Sequence, residues 1–140
     1  MNIKKLIITT LAIWIVSAAY TMLTCGWLFS WVYELPPMIW KTPTEIMASA
    51  NMIGSYLAGV LVSFLFVFIF AFLYKKLPNK GVKRGLLYGF LVWLVGPASG
   101  VIAMPFYMTI ATIVVAYWVL SMLVKYLLLG AIVGVLYKTK

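Results

Sequence analysis

Residues 74–85 read Tyr74-Lys75-Lys76-Leu77-Pro78-Asn79-Lys80-Gly81-Val82-Lys83-Arg84-Gly85. Five cations crowd this stretch, and Pro78 and Gly81 interrupt regular backbone inside it. On either side runs an apolar segment of about 20 residues or more, enough for a helix to cross a bilayer core of ~30 Å. The stretch therefore reads as a short basic turn between two membrane-spanning helices. Working outward, Lys4 and Lys5 precede the first apolar run, and Lys138 and Lys140 follow the last. Nine of the eleven cations thus lie on one side of four apolar runs, and Lys41 is alone in the opposite gaps. Cytoplasmic loops are enriched in Lys and Arg. The expected fold is all-α: a polytopic membrane protein of four transmembrane helices with both termini cytoplasmic.

Composition agrees. The chain is 66% hydrophobic and only 9% charged, with a mean hydropathy of +1.11. A soluble domain carries about 25% charged residues. No hydrophilic segment is long enough to fold separately, so a single domain over residues 1–140 is expected. The net charge of +9 flanks apolar spans. It predicts contact with anionic headgroups, each cation contributing about 1 kcal/mol, and not a nucleic-acid face. Histidine is absent, cysteine occurs once and the acidic residues are Glu34 and Glu45. This chain alone offers no His-held haem, no His/Cys zinc site and no Ser-His-Asp triad. No cofactor, metal or catalytic residue is expected.

The expected helices span 6–29, 44–74, 85–104 and 106–137. The first run exceeds the core of a cleaved signal, typically about 7–15 residues, so it is read as retained. Trp27, Trp31, Tyr33 and Trp40 form an aromatic belt beyond it, suited to anchoring at headgroups or to a lid or partner surface. Pro36-Pro37 forbids continued helix there. Thr44 is the expected cap of the second helix, with Glu45 in its first turn. In that helix Ala50, Gly54 and Ala58, and likewise Ser55, Gly59 and Ser63, recur every fourth residue. Small residues at this spacing let helices approach closely. Its outer half is therefore expected inside the bundle, and its Phe-rich inner half, 64–72, against lipid. Gly85 and Gly89, Gly96 and Gly100, and Gly130 and Gly134 are further close-packing pairs. Pro97 predicts a kink at the outer end of the third helix.

Lys125 is the sharpest candidate for function, because a charge within a span is costly and usually serves a purpose. It contacts an ion or ligand, contacts a subunit or lipid, or snorkels toward the inner headgroups. Tyr117, Ser121 and Lys125 are four apart and share a helix face. Thr10, Trp14, Ser17, Thr21 and Thr24 follow one face of helix one. With Asn51 and Ser55 of helix two, and Ser99, Thr109 and Thr112, they predict a polar seam opening outward. The seam either ties helices together or holds a ligand. The candidate ligand-binding residues are Lys125, Ser121, Tyr117, Asn51, Ser55, Ser17 and Thr21. Glu34 and Glu45 are read as solvated loop residues, and Cys25 as a small packed residue.

The aromatic segment after helix one, the run Lys83-Arg84-Gly85-Leu86-Leu87-Tyr88-Gly89 continuing to Trp93, and Gly130-Ala131-Ile132-Val133-Gly134 carry a resemblance. The chain is similar to a family of small prokaryotic four-helix membrane proteins of unknown function. That resemblance implies a prokaryotic cytoplasmic (inner) membrane and brings no functional residues. Two functions are expected from the residues. One is a non-enzymatic protein packing against itself or a partner membrane protein. The other is a small oligomeric transporter or channel using the seam and Lys125.

Overall fold

A computed structural model describes residues 2–36 and 40–137. Pro37, Lys138 and Lys140, and the side chain of Tyr33, lie outside the described part. Six α-helices follow in chain order: α1 (Ile3–Leu23), α2 (Pro43–Met47), α3 (Ser49–Leu73), α4 (Gly81–Trp93), α5 (Ser99–Val101) and α6 (Thr112–Leu136). No strand occurs among the described residues. Four helical stretches, Ile3–Leu28, Ser49–Leu73, Gly81–Phe106 and Thr112–Leu136, are long and apolar enough to cross a membrane. They run alternately up and down. One end of the molecule carries the start of α1, the basic turn and the end of α6; it is called the basic end. The other carries the connections around residues 29–48 and 102–111 and is called the aromatic end.

The helix limits follow from local chemistry. α1 starts before the expected residue 6, because the Asn2 side chain accepts from the Lys5 amide at 3.1 Å and caps it. It continues past Leu23 as a π-helical turn, Thr24–Leu28. Thr24 donates its hydroxyl to the Tyr20 carbonyl at 2.8 Å, a back-bond of the kind that loosens a helix. The expected second helix is two helices. Thr42, not Thr44, caps α2: its hydroxyl accepts from the Glu45 amide while the Glu45 carboxylate takes the Thr42 amide at 2.8 Å. Pro43 occupies the first turn, where a missing N–H costs nothing. Extended backbone at Ala48 then separates α2 from α3. The third span begins at Gly81 and stays regular only to Trp93; Pro97 lies in a second π-helical turn, Leu94–Ala98. Proline has no N–H for the helical ladder, so the widened turn sits at the expected kink. α6 begins at Thr112, later than expected, after a short 3₁₀ turn over Met104–Phe106.

Closest packing is between α4 and α6. Gly85 and Gly89 meet Gly130 and Gly134 backbone to backbone. A Cβ on Gly85 would strike the Gly130 carbonyl, and one on Gly134 would stand 2.5 Å from the Gly81 carbonyl. The core gathers on the same half of the molecule: Leu6, Phe66, Val67, Phe70, Tyr88, Leu129, Val133 and Tyr137 are all buried. Tyr88 donates to the Phe66 carbonyl at 2.7 Å, so its buried hydroxyl is satisfied across helices. The Phe70 ring lies 5.1 Å from Tyr88 and 6.2 Å from Tyr137 in edge-on contacts. Asn79, at φ 67°, turns the chain into α4, and Arg84 donates to its carbonyl while lying 4.4 Å over the Tyr74 ring.

The expectation for the second span is reversed on the Ala50, Gly54 and Ala58 face, while on the Ser55, Gly59 and Ser63 face Gly59 abuts the Trp14 indole and Ser63 is buried. From Ser49 to Val62 no residue is buried, and Gly54 faces open space. It is the Phe-rich half that supplies Phe66, Val67 and Phe70 to the core, although Phe64, Phe68 and Phe72 stay exposed. Gly96 and Gly100 also face open space and are not a close-packing pair within this chain.

Candidate functional site

α1 and α6 face each other near the aromatic end, and their polar residues meet there. Tyr20 donates its hydroxyl to the Ser121 carbonyl at 2.9 Å, with the Ser121 hydroxyl 3.3 Å away. One turn toward the aromatic end, the Cys25 sulfur lies 3.6 Å from the Tyr117 hydroxyl. The Phe29 ring packs against Tyr117 at 4.5 Å. Lys125 extends its ammonium to the Thr21 hydroxyl at 3.0 Å. Thr21 is a prepared acceptor: its own proton goes to the Ser17 carbonyl at 2.9 Å, so its lone pairs remain for Lys125. The shared face of Tyr117, Ser121 and Lys125 is therefore real, and it is turned to helix one.

Lys125 does not snorkel to the basic end. Each Cα–Cβ bond tilts toward its helix N-terminus, which for α6 is the aromatic end. The side chain leaves in that direction and meets Thr21, two residues before the regular end of α1.

Two clefts meet at this pair. One of about 450 Å³ is lined by Tyr20, Thr21, Thr24, Cys25, Trp40, Val101, Met104, Tyr117, Trp118, Ser121, Met122 and Lys125. Trp40 and Trp118 stand edge to face at 5.7 Å on its wall. The other, about 530 Å³, lies toward α3 and includes Trp14, Ser17, Thr21, Ser55, Tyr56, Gly59 and Lys125. Ser55 itself donates to the Met52 carbonyl at 2.8 Å.

The structure leaves other expected members out. Asn51 is exposed and held by the loop: it donates to the Glu45 carbonyl at 2.6 Å and accepts from Lys41 at 3.2 Å. Ser99 is exposed and bonds back to the Val95 carbonyl. Thr10 is buried, but below the clefts, and its hydroxyl meets no acceptor among the described residues. Glu45 serves α2: the Thr42 hydroxyl and amide hold its carboxyl below the usual carboxylate range. Sequence reading missed Tyr20, Trp118 and Met122. Tyr20 carried a signal, since it stands three residues after Ser17 and four before Thr24 on the polar face. Trp118 and Met122 carried none, because an apolar residue on a long apolar helix does not announce a cleft.

The fold and site define an all-α protein with four membrane-length helices and a lysine-bearing cleft between the first and the last. The chain matches no family model, no curated protein and no solved structure.

Proposed function

We propose that this chain is a multi-pass protein of a prokaryotic cytoplasmic membrane, with both termini cytoplasmic, that acts by helix packing rather than catalysis. The charge bias toward one end supports the orientation. One contrast carries the packing reading. Gly85, Gly89, Gly130 and Gly134 use four-residue spacing to bring two helices into backbone contact. Ala50, Gly54 and Ala58 repeat that spacing on α3, yet all three are exposed and Gly54 has open space beside it. Small-residue faces are how helices associate in lipid, where apolar area alone gives no preference. The open face of α3 fits a second copy or a partner membrane protein.

The test is cross-linking in native membranes. With Cys25 replaced by serine, Gly54→Cys is expected to cross-link to one defined species, and Phe72→Cys on the basic half is not. Monomer at both positions, or equal non-specific products, would sink the packing reading. A second reading, a small transporter or channel, draws on the two clefts that meet at Lys125. It predicts solute flux that Lys125→Met abolishes and that the cross-link leaves intact.

A further inference from the structure

We propose that the cleft between α1 and α6 binds a hydrophobic organic anion, with its oxyanion on Lys125 and its apolar body against Trp118 and Trp40. The inference stands apart from the packing reading, because this cleft lies on a different face from Gly54.

The first observation is an uncompensated charge. Lys125 lies thirteen residues into α6 and eleven from its end, near the middle of a membrane-length helix. The only carboxylate side chains, Glu34 and Glu45, lie outside all four membrane-length stretches. An ammonium has three donors. Thr21 takes one, and no other acceptor among the described residues lies within hydrogen-bond distance. A charge placed in apolar surroundings without a counter-charge is costly, and a bound oxyanion would remove that cost.

The second observation is the shape and polarity of the space beside it. The cleft volume, about 450 Å³, falls in the range of sites for small organic ligands, ~300–1,000 Å³. Tyr20, Thr21, Thr24, Tyr117 and Ser121 bring hydroxyls to the cleft that Lys125 enters, and Val101, Met104, Met122 and the two indoles give it apolar walls. A small hydrated anion would lose its water against such walls and gain only one strong partner. An anion carrying its own apolar body fills them. The indole of Trp118 is fixed edge-on by Trp40, which gives a flat ligand body a defined wall. Since the cleft extends from Lys125 toward Trp40 and Met104, the ligand enters headgroup first from the aromatic end.

The experiment uses the full chain in neutral detergent and reads quenching of tryptophan fluorescence by iodobenzoate, with neutral iodobenzamide as the control. The expected result is saturable quenching by iodobenzoate and not by iodobenzamide. Lys125→Met should raise the apparent Kd at least about tenfold, the scale of one hydrogen bond to a charged group. Lys125→Arg should retain binding, and Trp118→Phe should lower the quenching amplitude. Equal quenching by iodobenzamide overturns the proposal on the unaltered protein, without recourse to any variant. Unchanged affinity in Lys125→Met overturns it as well. Displacement of iodobenzoate by equimolar chloride would identify a simple anion site and overturn the organic-ligand assignment. Absence of saturable quenching, with a co-purifying protein lost from Lys125→Met, would assign the counter-charge to that partner instead.

Discussion

The two ends of the molecule solve the same problem differently. At the basic end, helices touch through glycines, and the space around that contact is filled by Phe66, Phe70, Tyr88 and Tyr137. Helical hydrogen bonding there is regular, and the buried Tyr88 phenol closes on a carbonyl of a neighbouring helix. At the aromatic end two of the four spans loosen into π-helical turns, the first half of α3 buries no residue, and hydroxyls bond back to their own helices. The first arrangement holds the fold. The second leaves a cleft and an open face. Close packing and accessible polar groups exclude each other on one helix surface, so the molecule separates them along its length.

The largest way to break this contrast is to fill the glycine contact. Gly85→Leu must push apart two backbones that already touch. It should cost about 3 kcal/mol and lower the melting temperature in detergent markedly. Gly54→Leu, with the same spacing in its favour, should change the stability of the isolated chain in detergent by no more than about 0.5 kcal/mol, because nothing of this chain lies within 4 Å of that position. If the two variants melt alike, the division of the molecule into a packed and an open end is wrong.

A finer probe compares two tyrosines. Tyr88→Phe removes the buried bond to Phe66 and should cost between about 0.6 and 1.7 kcal/mol, the average and the maximum for interhelical hydrogen bonds. Tyr20→Phe removes the bond to Ser121 at the cleft and should cost no more than about 0.6 kcal/mol. A Tyr20 effect larger than that of Tyr88 would place the stabilising contacts at the cleft. The smallest effect is local and acid-dependent. Glu45 has a depressed carboxyl pKa, so its bond to the Thr42 amide contributes above the unfolded value near 4.5 and is lost as pH falls through the lower folded value. Exchange protection at the Thr42 amide should disappear there, while the amides of α4 stay protected.

Parts of this arrangement were legible in residues alone. The close-packing pairs Gly85/Gly89 and Gly130/Gly134 were, because glycine at four-residue spacing bares a strip of helix backbone, although Gly96/Gly100 carry the same spacing and face open space. So was the common face of Tyr117, Ser121 and Lys125, which follows from helix geometry. The assignment of α3 failed for a physical reason. Small residues show that a surface permits close approach, not that another helix of the same chain approaches it. Asn51 failed similarly: on sequence it belonged to the seam, but Lys41 and the Glu45 carbonyl lie nearer and satisfy it.

By itself, then, the sequence determined four helices of membrane length, the gathering of their cations at one end and the positions able to pack most tightly. These are properties of single segments, governed by backbone hydrogen bonding and by the periodicity of a helix. Only the tertiary structure decided which half of α3 enters the core, that Lys125 turns to Thr21, and that Trp118 and Met122 wall a cleft. Those outcomes depend on which helix stands beside which, and one helix reads the same from sequence whatever its neighbour.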